Sequence, residues 1–471
     1  MTSHVAFASP RAGEIYSSAT DGVSSIGTST RVGISDPVFQ HHQNLRKLYI
    51  TFNYEDETYH HEAREDIHWD LTEMVPLLDH LDVSDANVEP PLCSAISEHP
   101  SISHLRLHFT CIKESNLAVF WEACRNLESL EMTEINFKEG SMSVPRDAVF
   151  NRMRKLTIEG IERLSPSEQL DLVFHCPKLK TLEWDPVGPI RVGVLINHPI
   201  QKDRWPKLDE LRIPSYLQDT EMASTLEGIG NCFGKIVELK MSNSTFGPQA
   251  SRALGFHFST LVKLDICYFA SVNGPGIQDV LCFCSMLEVL WAPSICARDI
   301  AEDGSWACQH LRELWTRIRV KETEQDLHQL IFERLSTLVR LATLDMGNSF
   351  DNGDGYGVLE FRLDCGLRQL ACLHELRTVE FYHGPEFERK QRLEVNDIEW
   401  MIDNWKRLKR IGGRLSRDPE VEVQLKEVSW NHYQLMVAST TTLSPFLICA
   451  ETLTLIFLHL IPHYFPSSPP L

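Results

Sequence analysis

The sequence predicts an α/β solenoid, a single stack of strand–helix repeats rather than a set of separate globular domains. Three observations lead to this fold class: a recurring pattern of aliphatic residues, a near-constant spacing between its copies, and cysteines at one fixed place before several copies. The chain has 471 residues. That length suits about three ordinary domains or one repeat array, and the regular spacing decides for the array.

The repeated pattern is an aliphatic residue, two variable residues, a second aliphatic residue, one variable residue and a third aliphatic residue. We call these aliphatic positions the first, second and third anchors. The copies, each given by its anchors, are Leu45/Leu48/Ile50, Ile102/Leu105/Leu107, Leu127/Leu130/Met132, Met153/Leu156/Ile158, Leu179/Leu182/Trp184, Leu208/Leu211/Ile213, Ile236/Leu239/Met241, Leu261/Leu264/Ile266, Leu287/Leu290/Ala292 and Leu311/Leu314/Thr316, then the degenerate Leu341/Leu344/Met346, Leu376/Val379/Phe381 and Leu408/Ile411.

The spacing between copies is too regular for chance. From Ile102 onward, the sequence numbers of successive first anchors differ by 25, 26, 26, 29, 28, 25, 26, 24, 30, 35 and 32. Leu45 and Ile102 lie about two such periods apart. Leu78/Leu81/Val83 is either the missing copy or the end of a helix over 71–78. The longer spacings after Leu311 predict insertions.

The period also predicts the layers of the fold. Alternating anchors and variable residues are typical of a short strand with one buried face. About twenty residues then remain for a helix and two turns. Such a unit cannot bury its apolar face alone, so neighbouring units must stack. We therefore expect one parallel sheet in one layer and the helices in the other.

Cysteines precede several first anchors at a fixed distance. Cys124, Cys176, Cys284 and Cys308 each lie three residues before an anchor leucine. A small, weakly polar thiol suits the buried junction between a helix and the next strand. Paired Cys-x-x-Cys motifs of a zinc site do not recur. Thirteen cysteines without a signal-peptide pattern before them favour a reducing compartment, the cytoplasm or the nucleus.

The phrase Cys176-Pro-Lys-Leu179, with a period near 26, resembles the cysteine-containing class of leucine-rich repeats. That class is typical of F-box/leucine-rich-repeat proteins, and the style here resembles fungal, RNI-like members. The resemblance covers about 41–415. It implies a curved leucine-rich-repeat solenoid, with the sheet on the concave face and the helices on the convex face. It also implies recognition of a protein partner, often as the substrate receptor of a cullin-type ubiquitin ligase.

An F-box is not visible in this sequence. Residues 1–40 lack its Leu-Pro-x-Glu motif and are rich in Ser, Thr, Gly and Ala, which predicts a flexible leader. The sequence alone therefore does not support docking to a Skp–cullin complex, which remains a possible partner. The solenoid, of about 13–14 repeats, is expected over 41–430. Its segment 395–408 is expected to be helical and to stop at Gly412 and Gly413.

The last segment, 431–471, is an apolar tail with Glu451 as its single Asp, Glu, Lys or Arg. Its core, 446–461, is shorter than the roughly 20 residues that span a bilayer. Three interpretations remain open: a cap on the last repeat, a segment that is not part of the native fold, or a membrane anchor. The absence of a basic flank weakens the last of these.

Charge and motifs argue against nucleic-acid binding and against catalysis. Lys plus Arg is 45 and Asp plus Glu is 65, which gives a net charge of −20. An acidic chain is poorly suited to neutralise phosphates. Residues 228–236 and 351–355 lack the spacing of a phosphate loop and a calcium loop. We predict no catalytic residue, no cofactor and no metal ion.

The predicted binding site lies among the variable residues that flank the second and third anchors, because these point to solvent. Trp291 and Trp315 occupy the central slot of consecutive repeats, which places them about 5 Å apart. Exposed tryptophans are typical of binding hot spots. Covering loops, or a register shift at the degenerate anchors Ala292 and Thr316, would bury them instead. The predicted contact residues are Trp291, Trp315, Asp265, Glu313, Arg317, Asp345, Glu380 and Tyr382.

Over the eleven strands from 102 to 381, the solvent-facing slots hold ten acids and six Lys or Arg. A partner segment with some Lys or Arg and an apolar anchor would match this face. We therefore expect a non-enzymatic protein-recognition module, a substrate-receptor-like relative of F-box proteins. The alternative is a stand-alone scaffold or a regulator of a small GTPase, without a ubiquitin-ligase link.

Overall fold

The computed structural model describes most of the chain between residues 46 and 428. The described residues are 46–51, 71, 75–84, 86–138, 144–145, 147–161, 166–185, 208–213, 217–233, 235–241, 245–267, 271–272, 274–302, 304–347, 357–381, 391–416 and 418–428. Near the N terminus, three short strands are described as backbone only, His4–Phe7, Ser17–Ser18 and Val23–Ile26. The tail 431–471 and most of the leader 1–40 lie outside the described residues, so both stay predictions.

One parallel sheet runs through the described repeats, with one strand from each. Its strands, in chain order, are β1 Lys47–Thr51, β2 His80–Ser84, β3 His104–His108, β4 Ser129–Thr133, β5 Lys155–Glu159, β6 Thr181–Trp184, β7 Glu210–Ile213, β8 Glu238–Met241, β9 Lys263–Asp265, β10 Val289–Cys296, β11 Glu313–Val320, β12 Thr343–Asp345, β13 Thr378–Glu380 and β14 Arg410–Gly412.

Neighbours in the chain are neighbours in the sheet throughout β1–β14. β2 pairs with β1 on one side and β3 on the other. Leu78/Leu81/Val83 is therefore the missing copy of the pattern. The strand His4–Phe7 also pairs in parallel with the start of β1.

A repeated hydrogen-bond step holds the register. In each repeat, one carbonyl that precedes the strand accepts two successive N–H groups of the next repeat. For example, the Glu288 carbonyl accepts from Arg312 N at 2.8 Å and from Glu313 N at 3.1 Å. The same step joins Val262 to Glu288 and Arg312 to Ala342. Since the step recurs at the same position, equivalent side chains of successive repeats fall into rows.

Helices form the second layer. They are α1 Pro90–Glu98, α2 Leu117–Cys124, α3 Pro166–Phe174, α4 Asp219–Phe233, α5 Pro248–Leu254, α6 Gly274–Phe283, α7 Ala297–Glu302, α8 Leu327–Ser336 and α9 Val395–Asn404. A further helix covers 419–428. The short helices Leu363–Cys365 and Leu367–Cys372 fill this layer after β12. Helix side chains and strand anchors share one continuous core, so the fold is an α/β leucine-rich-repeat solenoid.

Short extra strands accompany the main sheet. Asn87–Val88, Cys111–Lys113 and Asn136–Lys138 form a small parallel sheet, and Thr245–Phe246 pairs with Ser271–Val272. No helix in the described part of the chain is long and apolar enough to cross a bilayer.

The predicted core cysteines are buried. The side chains of Cys124, Cys176, Cys284 and Cys308 have no exposed surface, and all four thiols are free. The Cys176 thiol donates to the Leu172 carbonyl at 3.3 Å. Burial raises the pKa of Cys308 to about 12, so its thiol stays protonated at neutral pH. The structural role that we predict for these cysteines is confirmed.

Trp184, which occupies a third-anchor position, is 1% exposed, as its anchor position predicts. Its indole N–H donates to the side-chain oxygen of the buried Gln169. Trp306 and Gln278 repeat this arrangement later in the chain, at 3.0 Å. In both cases a glutamine on a helix satisfies a buried indole donor, which otherwise would cost about 1–3 kcal/mol.

The end of the solenoid differs from the prediction at 395–408. Helix α9 begins with a capping box, in which the Asp397 carboxylate accepts from Glu394 N at 2.9 Å. It ends at Asn404, well before the two glycines. The helix ends early because Trp405 leaves it and buries its indole, which donates to the Leu370 carbonyl at 2.9 Å. Gly412 instead lies in β14.

Gly413→Ala is expected to destabilise the last repeats by about 1–2 kcal/mol or more. Gly413 has a φ of +91°, and a Cβ there would lie 2.2 Å from the Phe381 carbonyl oxygen. Gly304→Ala is the control, because a Cβ at Gly304 meets nothing within 4 Å. Thermal melting of the two variants tests this, and equal melting temperatures would contradict it.

Acidification below about pH 6.5 is expected to destabilise the protein. His99, His257 and His328 are at most 1% exposed, and burial lowers the pKa of each. His257 is held neutral: its Nδ1 accepts from Ile236 N at 3.2 Å, and its Nε2 lies 3.4 Å from the Leu226 carbonyl.

The pKa values of these histidines are lower in the folded protein than in the unfolded chain. The neutral rings therefore contribute to the unfolding free energy above the unfolded pKa of about 6.5, and this contribution is lost as the pH falls through the folded pKa values. Melting temperatures measured from about pH 7.5 to about pH 5.5 should fall less steeply for His257→Gln than for the wild type. The exposed His374→Gln serves as control and should keep the wild-type slope. Identical slopes for all three proteins would contradict the account.

Candidate partner-binding site on the open face of the sheet

The face of the sheet that points away from the core, which we call the open face, carries rows of equivalent side chains. Its central row contains the residue between the second and third anchors of each repeat. From β1 to β14 this row reads Tyr49, Asp82, Arg106, Glu131, Thr157, Glu183, Arg212, Lys240, Asp265, Trp291, Trp315, Asp345, Glu380 and Gly412.

Trp291 and Trp315 are direct neighbours in this row. They pair in register across β10 and β11, and their rings stack with centroids 4.7 Å apart and planes at 29°. Both side chains are half-buried rather than core. Stacked aromatic rings of this kind contribute about 0.5–1.5 kcal/mol beyond their buried area. The sequence predicts this juxtaposition, although not the stacking.

The expected register shift exists, but it comes after the tryptophans. β10 and β11 have eight residues each, and their pairing moves out of step between Trp291 and Ser294. Ala292 and Thr316, the degenerate third anchors, are still buried at 0% and 1% exposure. The shift therefore leaves the tryptophan pair on the open face.

Arg317 is not on the surface, contrary to the prediction. It is 1% exposed and pairs in register with the buried Ser294. Beyond Trp315, the second neighbour of β11 changes from the parallel β12 to the antiparallel strand Gly357–Val358. At Arg317, β11 is thus past the end of the regular repeat, paired with β10 after the shift in register and close to the antiparallel strand, which pairs with Arg319 and Val320.

Two predicted acids are also less accessible than expected. Asp265 is 1% exposed, and its carboxylate accepts from Cys267 N at 3.3 Å and lies 3.4 Å from the Lys240 ammonium. Glu380 is 7% exposed, and its carboxylate pairs with Arg410. The carboxylate occupies the space that a side chain at position 412 would fill, which Gly412 leaves open. Both carboxylates therefore bind partners within the protein itself.

Asp345 follows Trp315 in the central row and is half-buried. Its carboxylate accepts from Gly347 N at 2.7 Å, the same strand-ending turn that Asp265 makes. Asp265 and Asp345 thus border the tryptophan pair on either side and end their strands there. Tyr382 lies outside the described residues.

Two charged side chains remain at the tryptophan pair. Glu313 is half-buried and forms no ion pair among the described residues. Lys263, two residues before Asp265, places its ammonium 5.4 Å from the Trp291 ring centroid, a cation–π distance. Sequence reasoning did not select Lys263. Its position in the repeat could have indicated it. Lys263 lies in the row next to the central row, one strand from Val289 and two strands from Glu313.

Both indole N–H groups of the pair are buried and lack an acceptor among the described residues. An unmade hydrogen bond of this kind costs about 1–3 kcal/mol. Within the described part of the chain, the site therefore consists of a stacked aromatic pair whose two indole donors have no acceptor, a cation on one ring and the nearby Glu313 carboxylate, which has no ion pair. Among the described residues, no group of three or more His, Cys, Asp or Glu could hold a metal ion.

Comparison with known proteins gives only distant similarity. No family model and no curated protein matches the chain. Among solved structures, an internalin from Listeria monocytogenes is 14% identical with a TM-score of 0.36, over 66% of this chain and 89% of the internalin. The plant peptide hormone receptor RGFR1, in complex with RGF2, is 12% identical with a TM-score of 0.37, over 79% of this chain and 56% of the receptor.

TLR13, in complex with ssRNA13, is 13% identical with a TM-score of 0.34, over 80% of this chain and 55% of TLR13. The chain thus spans little more than half of RGFR1 and of TLR13. The assignment of the fold depends on the strand order and the buried anchors described above.

Proposed function

We propose that this protein recognises a protein partner through the open face of its sheet, with Trp291 and Trp315 as the anchor. The stack of these two tryptophans, in register on adjacent strands, is the observation that carries the proposal. Large aromatic residues at the centre of a surface supply most of the binding free energy in many interfaces. The solenoid acts as a rigid support and performs no catalysis.

The chemistry around the pair specifies the partner segment. Its apolar or aromatic side chain would cover the stacked indoles, and an Arg or Lys would pair with Glu313. Acceptors of its backbone would satisfy the indole N–H groups after a small rotation of the rings, since both donors lack an acceptor among the described residues. Removing that cost on binding would add to the affinity.

A peptide library displayed on phage and selected on the wild-type protein tests the proposal. The selected peptides should share an aromatic or large aliphatic residue next to Arg or Lys, and they should bind the Trp291→Ala/Trp315→Ala variant much more weakly than the wild type. Selected peptides that bind both proteins equally would contradict the site, and peptides rich in Asp and Glu would contradict its expected specificity.

The finer proposal is a substrate-receptor-like relative of the F-box/leucine-rich-repeat proteins, placed in the cytoplasm or nucleus, where free buried thiols persist. The resemblance of the repeats supports it. Binding of the purified protein to a Skp-type adaptor would bear it out. Binding to a small GTPase without adaptor binding would instead favour the stand-alone scaffold or regulator.

A further inference from the structure

A second surface lies on the same open face, at the opposite end of the sheet from the tryptophan pair. A groove of about 390 Å³ runs across β1 to β5. One row of its side chains reads Lys47, His80, His104, Ser129 and Lys155, each in register with the next. Four strand spacings separate the two lysines, about 19 Å between their Cα atoms.

The charges of this groove are locally positive in a chain of net charge −20. Its lining contains four Lys or Arg and three Asp or Glu. All three acids are already paired with arginine: Arg106 lies 3.7 Å from Asp82 and 2.9 Å from Glu131, and Arg152 lies 3.1 Å from Glu128.

The cations at the ends of the groove have no ion-pair partner in the part of the chain that the structure describes. Lys47 at one end, and Arg154 and Lys155 at the other, form no ion pair with any described residue. Between them the rings of His80 and His104 stack, with centroids 3.9 Å apart and planes at 7°. His80 also pairs with Asp79, and the His104 Nδ1 lies 2.7 Å from the Ser103 hydroxyl.

We propose that this groove binds an extended acidic peptide segment of a protein partner, with its carboxylates on Lys47 and Lys155 and its middle along the two histidines. An extended segment of about six residues spans the row of about 19 Å. The cations are spread out and alternate with carboxylates, which suits side-chain carboxylates at intervals. The dense phosphates of a nucleic acid would instead face Asp82, Glu128 and Glu131.

This surface is independent of the proposed tryptophan site. Five strand spacings, about 24 Å, separate Lys155 in β5 from β10. The two surfaces would bind segments of opposite charge: an acidic segment at the groove, and an apolar and basic segment at the tryptophan pair. A partner, or two partners, with separated acidic and basic segments would fit the whole face.

Fluorescence anisotropy of a labelled Glu-rich peptide of about eight residues, roughly 27 Å when extended, tests the proposal. Lys47→Gln/Lys155→Gln should weaken its binding by about tenfold, since each exposed pair contributes up to about fivefold. Lys178→Gln/Lys406→Gln, two exposed lysines outside the groove lining, is the matched control and should bind as the wild type does. Circular dichroism verifies that both variants fold.

Several outcomes would overturn the proposal. They are equal weakening by the control pair, equal binding of a peptide with Gln in place of Glu, or stronger binding of a single-stranded oligonucleotide. Trp291→Ala/Trp315→Ala should leave binding of the acidic peptide unchanged. A result that contradicts the groove can therefore be distinguished from one that contradicts the tryptophan site. If only Glu55→Gln/Asp56→Asn/Glu57→Gln binds the peptide, the chain's own acidic stretch is the occupant.

The histidines add a second readout. Burial and the neighbouring His80 lower the pKa of His104, so its ring is neutral at neutral pH. A docked carboxylate would favour the protonated His104 ring, and affinity should therefore rise several-fold from about pH 7.5 to about pH 6. The other charged groups that face these rings are Asp79, Glu128, Arg46, Lys47, Asp82 and Arg106.

His104→Gln should remove this rise in affinity, while the two lysines still bind the peptide. The Glu carboxylates of the peptide stay ionised over this range of pH and do not contribute to the change. A pH dependence that persists unchanged in the variant would contradict the part assigned to the histidines.

Discussion

Trp405→Ala is expected to lower the unfolding free energy of the C-terminal repeats by about 3–5 kcal/mol. Trp405 has no exposed surface, and its indole donates to the Leu370 carbonyl at 2.9 Å. The Trp405 and Trp400 rings also form a T-shaped pair, with centroids 5.8 Å apart. The substitution leaves a cavity and removes one of the two donors of the Leu370 carbonyl, which still accepts from Leu373 N at 3.0 Å.

Because repeat arrays unfold in sections, denaturant unfolding should be followed together with hydrogen exchange in β13 and β14. Trp405→Phe separates the two costs: it keeps most of the buried apolar area and loses one hydrogen bond, about 0.5–1.5 kcal/mol, because Leu373 N still donates to the same carbonyl. A cost below about 1 kcal/mol for the alanine variant would show that Trp405 is not part of the core.

Trp291→Ala/Trp315→Ala is expected to behave in the opposite way. Each tryptophan should contribute about 2 kcal/mol or more to partner binding, so the double variant, which loses about 4 kcal/mol or more, should bind a selected peptide roughly 1,000-fold more weakly. Its stability should change by about 1 kcal/mol or less, since the half-buried rings lose their stacking but also two unsatisfied N–H groups.

Trp400→Ala is the matched control for the tryptophan pair. Trp400 is a half-buried tryptophan on helix α9, in the layer opposite the open face. Its loss should leave peptide affinity unchanged. A double variant that melts far below the wild type would show that Trp291 and Trp315 are core residues, and the proposed function would be wrong.

The position of Trp291 and Trp315 could be predicted because it depends on local regularities alone. Strand alternation sets which residues face away from the core, and the repeated backbone hydrogen bonds keep successive repeats in step. The same regularities predict the burial of Cys176 and of Trp184. None of these predictions needed information about residues far away in the chain.

The remaining site residues depend on contacts that the repeat pattern does not specify. Arg317 lies where β11 departs from the repeat: the pairing with β10 shifts before it, and Gly357–Val358, which comes more than one repeat later in the chain, pairs with the extended end of β11. Glu380 is buried because its neighbour in the row is Gly412, which leaves room for the carboxylate, and because Arg410 pairs with it. Insertions and single departures from the repeat decide both cases.

The groove across β1 to β5 was missed for a related reason. The first two clear copies of the pattern, at Leu45 and Ile102, lie about two periods apart, so the slot of β2 was uncertain from the sequence. Once β2 is placed, His80 stands beside His104 and Lys47 joins their row. The end of α9 could not be predicted either, because the burial of Trp405 decides it.

The central claim, that the partner binds on the tryptophan pair, is tested most directly by fluorine NMR of the protein labelled with 5-fluorotryptophan. Single Trp→Phe variants assign the signals. On titration with a selected peptide, we predict that the signals of Trp291 and Trp315 shift while those of Trp184 and Trp405 stay in place. Shifts confined to other tryptophans, or no shift at Trp291 and Trp315 under saturating peptide, would contradict the account.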